Sequence, residues 1–300
     1  MELNERAQID TGQVEDRRGS GGLRGMIPIG GGRGGIVGLI VTVVLALAGG
    51  GYGVSRVVGG DGDNGDLAQE CATSKPDRLN DVDCRNTLYI NSIQNFWKTE
   101  LPASFSKSYQ PVKTVFFQQQ TQTGCGAADT GVGPFYCPQD KLVYIDLSFY
   151  QELTNQFGAK GQFAQPYVLA HEYGHHVQDL VGTLPRVDSL MQRDPGKANG
   201  YSVMLELQAD CYAGVWAAHA TQTRDASGQP IFEQVTPQDI QDAVNAAGAV
   251  GDDAIQKKMG GGVDESQFTH GSSAEREHWF GGGYSSGDPK SCDTFGGALG

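Results

Sequence analysis

One stretch, Tyr167 to Leu180, narrows the possible folds of this chain more than any other. It reads Tyr-Val-Leu-Ala-His-Glu-Tyr-Gly-His-His-Val-Gln-Asp-Leu. His171 and His175 stand at positions i and i+4, which share one face of an α-helix with Cβ atoms about 5–6 Å apart. Two imidazoles so placed reach one zinc ion at about 2.0–2.1 Å. Glu172 follows the first histidine, so it flanks the metal without ligating it and can take a proton from a water beside it. The surroundings read as helix. Pro166 suits a first turn, where a missing N–H costs little. Val168, Leu169, Val177 and Leu180 wrap the polar triplet in apolar residues, and Gly182 is a stop. A chance match of two His and one Glu is the competing reading, and this helical context weighs against it. His176 lies about 100° round the helix from His175, so it is read as a packed or solvated histidine and not a ligand.

A catalytic zinc needs a third protein ligand and an open fourth position. The next apolar helix, starting near Tyr201, carries Glu206 inside a run made mostly of Val, Met, Leu, Ala and Trp. A charged carboxylate rarely sits unpaired in such a run. Asp210 shares its face. Glu206 is therefore the candidate ligand, and Asp210 the acceptor for the outer N–H of a ligating histidine. The alternative is a helix whose two acids line its polar face. Two imidazoles and a carboxylate favour zinc over other metals. Cys211 could offer a thiolate, but an even set of six cysteines fits three disulfides in an oxidising compartment. Short loops suggest Cys71–Cys84 and Cys125–Cys137, which leaves Cys211–Cys292 to tie the tail to the Glu206 helix.

Three hundred residues, 38% of them hydrophobic, can build one or two domains. Residues 1–33 are rich in Gly and charge, without apolar periodicity, and read as a disordered cytoplasmic segment. Its acids and arginines balance, so the net charge of −13 belongs to the remainder. That acidity, and the lack of any basic patch, argue against a nucleic-acid partner. Gly34 to Ser55 has no charged residue and is long enough to cross about 30 Å of hydrocarbon as a helix. Arg17, Arg18, Arg24 and Arg33 precede it and Asp61, Asp63 and Asp66 follow, which places the N-terminus in the cytoplasm. An uncleaved anchor over 34–55 is favoured over a cleaved signal peptide and over a buried soluble helix. Residues 56–70 read as a Gly/Asp linker, and 71–300 as the folded domain.

Within that domain, helices are expected over Asp81–Leu101, ending at Pro102, over Ser148–Gly158, through the two metal-site segments, and from Thr236-Pro237 to Ala247. Gly182 to Gly200 reads as a loop. Ser272-x-x-Glu275 is a capping box for a short helix through Trp279. Val112–Gln119 and Lys141–Leu147 read as strands. The fold class is thus α+β, mostly helical with a small sheet, preceded by a single transmembrane helix.

His171-Glu-x-x-His175 followed by Glu206-Leu-Gln-Ala-Asp210 resembles the gluzincin metallopeptidases. Thr269-His-Gly-Ser-Ser-Ala-Glu-Arg276 is similar to the Thr-His-Pro-x-x-x-x-Arg segment of membrane gluzincins of the CAAX-protease type, with Gly271 in place of Pro. Five marks resemble a bacterial family of neutral zinc metallopeptidases. They are Val14-Glu-Asp-Arg-Arg-Gly19, Gly133-Pro-Phe-Tyr-Cys-Pro138, the His171–Gln178 run, Glu206–Cys211, and Ser286-Gly-Asp-Pro289 with Cys292-Asp-Thr-Phe295. The resemblance implies a zincin-like peptidase domain in a single-pass bacterial cell-membrane protein, with that domain outside and a protein or peptide substrate. In that reading Glu172 is the catalytic base, and His270 stabilises the oxyanion. Arg276, His278 and Tyr212 are alternatives for that second role. Arg276 has other readings, as a partner of Glu172 or Asp210 or as a structural cap. The strand Lys141–Leu147 either borders the cleft, where it would pair with an extended substrate, or is an ordinary sheet strand. Two other function classes stand beside the peptidase: a zinc hydrolase of a non-peptide envelope substrate, and an inactive scaffold with a protease fold. The intact Glu172 argues against the scaffold.

Overall fold

The computed structural model describes residues 1–18 and 65–297. A short helix α1 (Gly65–Glu70) leads into α2 (Val82–Phe105), opened by the Asp81 carboxylate, which accepts from the N–H groups of Asp83 and Cys84. Pro102 does not end α2 as expected. Its own carbonyl accepts from the Ser106 N–H, so the last turn closes on Ser106 in the left-handed region. Then follow α3 (Phe149–Asn155), α4 (Ala164–Val181), α5 (Thr183–Arg193), α6 (Ala198–His219), α7 (Pro237–Ala249), α8 (Asp252–Lys258) and α9 (Ser273–Ser286).

The expected loop after Gly182 is thus largely the helix α5, which buries Leu184, Val187 and Met191 along one stripe. The capping boxes of α7 and α9 form as read, at Thr236 with Asp239 and at Ser272 with Glu275. Helix α9 runs past Trp279 because its glycines are where it meets α6. A Cβ on Gly283 would fall 2.0 Å from the Cys211 carbonyl oxygen, so only glycine lets the two backbones approach.

The main sheet has the order β2 (Val14–Asp16), β3 (Thr114–Phe116), β7 (Leu142–Ile145), β6 (Phe135–Cys137). The first two pairings are parallel and the last is antiparallel. One face of the sheet, with Phe116, Tyr136, Val143 and Ile145, packs into the helical core. The other, with Val115, Phe135 and Tyr144, is covered around the hairpin β4 (Gln120–Thr123) and β5 (Gly126–Asp129). The strand read as a candidate substrate partner, β7, is flanked on both sides and has no free edge. The three disulfides are Cys71–Cys84, Cys125–Cys137 and Cys211–Cys292, the pairing that the loop lengths suggested.

Two expectations at the N-terminus need correction. Residues 1–18 are not a separate disordered segment. The strand β1 (Glu2–Leu3) pairs with β8 (Phe232–Gln234), and β2 completes the main sheet. Arg18 bonds both Asp16 and Asp83, the buried Arg78 donates to the carbonyls of Glu5 and Ala7, and Asp10 and Asn91 exchange hydrogen bonds. The single-pass arrangement, N-terminus inside and domain outside, fails for the same reason: strands that share a sheet lie on one side of any membrane. The expected anchor 34–55 falls outside the described residues. Among the described residues no helix is long and apolar enough to cross a membrane.

Candidate metal centre

Helix α4 buries its polar triplet, with His171, Glu172 and His175 each no more than 5% exposed. Gly174, on the turn between the two histidines, faces α6. A Cβ there would lie 3.0 Å from both Cα and O of Ala209, so the glycine sets how closely the helices approach. That approach brings Glu206 under both rings. Its Oε2 is 3.1 Å from His171 Nε2, and its Oε1 is 3.4 Å from His175 Nε2. Potential ligand atoms of the three residues all lie within 4.8 Å of one another.

The outer nitrogens are engaged elsewhere. His171 Nδ1 lies 2.8 Å from Asp210 Oδ1, and His175 Nδ1 lies 2.9 Å from Gln178 Oε1. Each ring therefore gives its Nδ1–H away and turns Nε2 towards Glu206, a group that only accepts when ionised. Among the described residues, His175 Nε2, Glu206 Oε1 and Glu172 Oε2 are buried without a hydrogen-bond partner. His175 Nε2 and Glu206 Oε1, two facing acceptors without a proton donor, suit a cation, and the two imidazoles and one carboxylate of His171, His175 and Glu206 suit zinc. The donor set fits that ion.

The electrostatics of the pocket agree. Burial opposes the charge of Glu206, but His175 and His171 hold its carboxyl well below the usual range. Burial also opposes a charged His171, yet Asp210 and Glu206 raise its pKa to about 10. A proton on His171 thus supplies the positive charge that a metal would displace. Burial raises Glu172 to about 7, near the value that suits a general base at neutral pH. His176 is packed, as expected. Burial lowers it to about 4, and its ring bridges Tyr136 and the Gln110 carbonyl.

Arg276 resolves in favour of Asp210, with Nε at 2.8 Å from Oδ2 and an Nη at 3.0 Å from Oδ1. The Tyr167 hydroxyl adds a third donor to that carboxylate at 2.6 Å. His270 sits on the loop before α9, its Nδ1 3.1 Å from Asp252 Oδ1. It does not line the small cavity of about 30 Å³ beside the centre, which Pro134, Tyr167, His171, Glu172, Glu206 and Arg276 help to enclose. Tyr212 is buried among Trp97 and Phe105, away from that cavity lining, and His278 is on the exposed side of α9. Tyr167, Gln178 and Asp252 were not picked out from sequence. Gln178 and Tyr167 each lie one helical turn from a candidate ligand, which is the only signal they carry.

No solved structure matches the chain. Relatives do. The chain is 48% identical over 232 residues to "Uncharacterized protein Rv2575" of Mycobacterium tuberculosis, covering 77% of this chain and 75% of that one. It is 40% identical over 296 residues to "Uncharacterized protein YpfJ" of Escherichia coli K12, covering 97% of this chain and 98% of that one. One family model matches residues 3–295, from the first strand to the disulfide-tied tail, and so takes in every group of the centre. The chain belongs to the family described as "putative neutral zinc metallopeptidase".

Proposed function

We propose that this protein is a zinc-dependent endopeptidase in which His171, His175 and Glu206 hold the metal and Glu172 is the base. The observation that carries the reading is the gathering of His171, His175 and Glu206, whose potential ligand atoms lie within 4.8 Å of one another, with His175 Nε2 and Glu206 Oε1 buried and unpartnered. A zinc ion there would polarise the scissile carbonyl and make a water easier to deprotonate. Glu172 takes the proton of the attacking water and returns it to the leaving amine. Its pKa near 7 suits both transfers. Asp210, held ionised mainly by Arg276, fixes the ring of His171.

The resemblance of its segment makes His270, held by Asp252 at Nδ1, the candidate for the oxyanion; it stands outside the lining of the cavity beside the centre, so that role requires it to approach when substrate binds. With that N–H committed, Nε2 donates only as imidazolium. Among strands near the centre, β6 has the free edge. The Tyr136 backbone N–H points at Glu172, which puts a peptide added to that edge beside the base.

The test is zinc content and cleavage of a mixed peptide library, read by mass spectrometry. Wild type should bind one zinc and cut. Glu172→Gln should keep the zinc and lose roughly 10²-fold or more in kcat. A zinc-loaded wild type that cuts nothing in the library would turn the reading towards a non-peptide substrate. Failure to bind zinc would end it.

A further inference from the structure

The two candidate ligand histidines are held from behind by different means. Behind His171 stands a carboxylate, Asp210, which can only accept. Behind His175 stands the amide of Gln178, which can present either an oxygen or an NH₂ group. Its orientation therefore decides the tautomer of His175, and something must fix it.

Two backbone carbonyls do so. Gln178 Nε2 donates to the Leu205 carbonyl at 2.7 Å and to Gln208 Oε1 at 3.2 Å. Gln208 Nε2 donates in turn to the Cys292 carbonyl at 2.8 Å. Carbonyl oxygens cannot donate, so turning either amide over would bring two acceptors together at buried positions. Gln178 is 0% exposed, Gln208 6% and Cys292 1%, so water is in short supply to repair the loss. The polarity of the chain is forced: Cys292 and Leu205 carbonyls set Gln208 and Gln178, and Gln178 Oε1 then requires N–H at His175 Nδ1. That leaves the lone pair of His175 on Nε2, facing Glu206.

The far end of this chain is covalently placed. Cys292 is bonded to Cys211, the residue after Asp210. One disulfide thus lies beneath the outer partners of both histidines.

We propose that Gln178 and Gln208 are positioning residues that transmit the place of the disulfide-tied tail to His175, so that the tail sets zinc affinity without contributing a ligand. The inference rests on the reading that His171, His175 and Glu206 bind zinc. Removing Gln178 frees the ring to take the wrong tautomer, and removing Gln208 takes away one of the two acceptors that hold the Gln178 amide, as loosening the tail does at one remove. An outer partner of a ligating histidine is worth about 10–100-fold in metal affinity.

The experiment is a competition titration of zinc against a chromophoric chelator on the full chain, for wild type, Gln178→Met, Gln208→Leu and the double variant. Thermal unfolding of each zinc-free protein is recorded alongside. Gln178→Met should bind zinc about 10–100-fold more weakly. Gln208→Leu should weaken it in the same direction, and the double variant should be little worse than Gln178→Met alone, because both act through one bond. Replacing Cys211 and Cys292 by Ser should also weaken zinc binding, whereas replacing Cys71 and Cys84 should lower only thermal stability. Unchanged affinity in the folded Gln178→Met protein, or strictly additive losses, would overturn the proposal. Should the variants not fold, long-range ¹H–¹⁵N spectra of zinc-loaded wild type decide. His175 protonated at Nδ1 supports the relay, and His175 protonated at Nε2 overturns it. A wild type that binds no zinc would instead remove the reading on which this rests.

Discussion

Arg276→Met isolates one interaction whose worth can be reckoned from its surroundings. Arg276 is 2% exposed and Asp210 0%, so solvent screens the pair little. Removing one partner of a buried ion pair costs about 3–5 kcal/mol, because the other charge stays behind. Here Asp210 would keep two donors, the Tyr167 hydroxyl at 2.6 Å and His171 Nδ1 at 2.8 Å. The loss therefore belongs at the lower end, about 3 kcal/mol. For a body of this size each kcal/mol moves Tm by about 2–4 °C, so the variant should melt roughly 6–12 °C lower.

The assay is thermal unfolding of the zinc-free protein with disulfides intact. Its pH dependence supplies a second check. Burial opposes ionisation of Asp210, but Arg276 and His171 hold its folded carboxyl below the ordinary value. A depressed carboxyl contributes stability that is present above the unfolded pKa, about 3.9, and is lost as pH falls through the lower folded value. The gap between wild type and variant should hold from pH 8 to about 5 and shrink below about 4. Adding Asp210→Asn to the variant should recover part of the loss, since no buried charge is then left unpaired. A drop of less than about 2 °C at pH 7, or a gap unchanged at pH 3, would refute the reasoning.

Zinc binding at pH 7 should release about one proton, because His171, held at about 10 when metal-free, must give up its Nε2 proton to ligate. Calorimetry in buffers of different ionisation enthalpy measures this, and zero release counts against His171 as a ligand. His270→Ala should lower kcat by roughly 10²–10³ with zinc content and KM little changed, and full activity would leave it as a structural partner of Asp252. Gly174→Ala should push α4 from α6 and cost about 1–3 kcal/mol, with weaker zinc binding. A variant as stable as wild type would show that the helices have room to move.

The centre was legible where its chemistry is local. His171, Glu172 and His175 are placed by helical spacing alone. Glu206 and Asp210 announce themselves as charges inside an apolar run. The uncharged partners left no such trace. Gln178 is an ordinary helix residue until α6 presents the Leu205 carbonyl and Gln208 to it, and that depends on the tight crossing at Gly174. Arg276 had to choose among partners, and the choice was made by the packing of α9 on α6, which puts its guanidinium on Asp210. The missed helix α5 is a case of masked signal. Its stripe of Leu184, Val187 and Met191 has helical spacing, but Gly182 before it and Pro185 inside its first turn read as loop.

The N-terminal arm shows a deeper limit of pattern reading. A three-residue strand such as β2 has too few positions for alternation to register, and the apolar residues of 1–18, Ala7 and Val14 fully buried and Met1, Leu3 and Ile9 partly so against the core, follow no helical or strand period. What binds them is supplied from elsewhere: the β3 ladder, Asp83 for Arg18, Asn91 for Asp10, Asp225 for the Gln8 N–H. Each is a polar contact between positions far apart in sequence, and none leaves a periodic mark. Composition saw only glycine and balanced charge, and so predicted disorder. The same blindness produced the topology error. Charge bias around Gly34–Ser55 orients a segment only if its two flanks are free to part, and here they are strands of one sheet. Wherever residues 34–55 go, β2 and β3 must arrive on the same side to pair, which makes Val14–Arg18 part of the folded domain that carries the candidate metal centre and not of a separate tail.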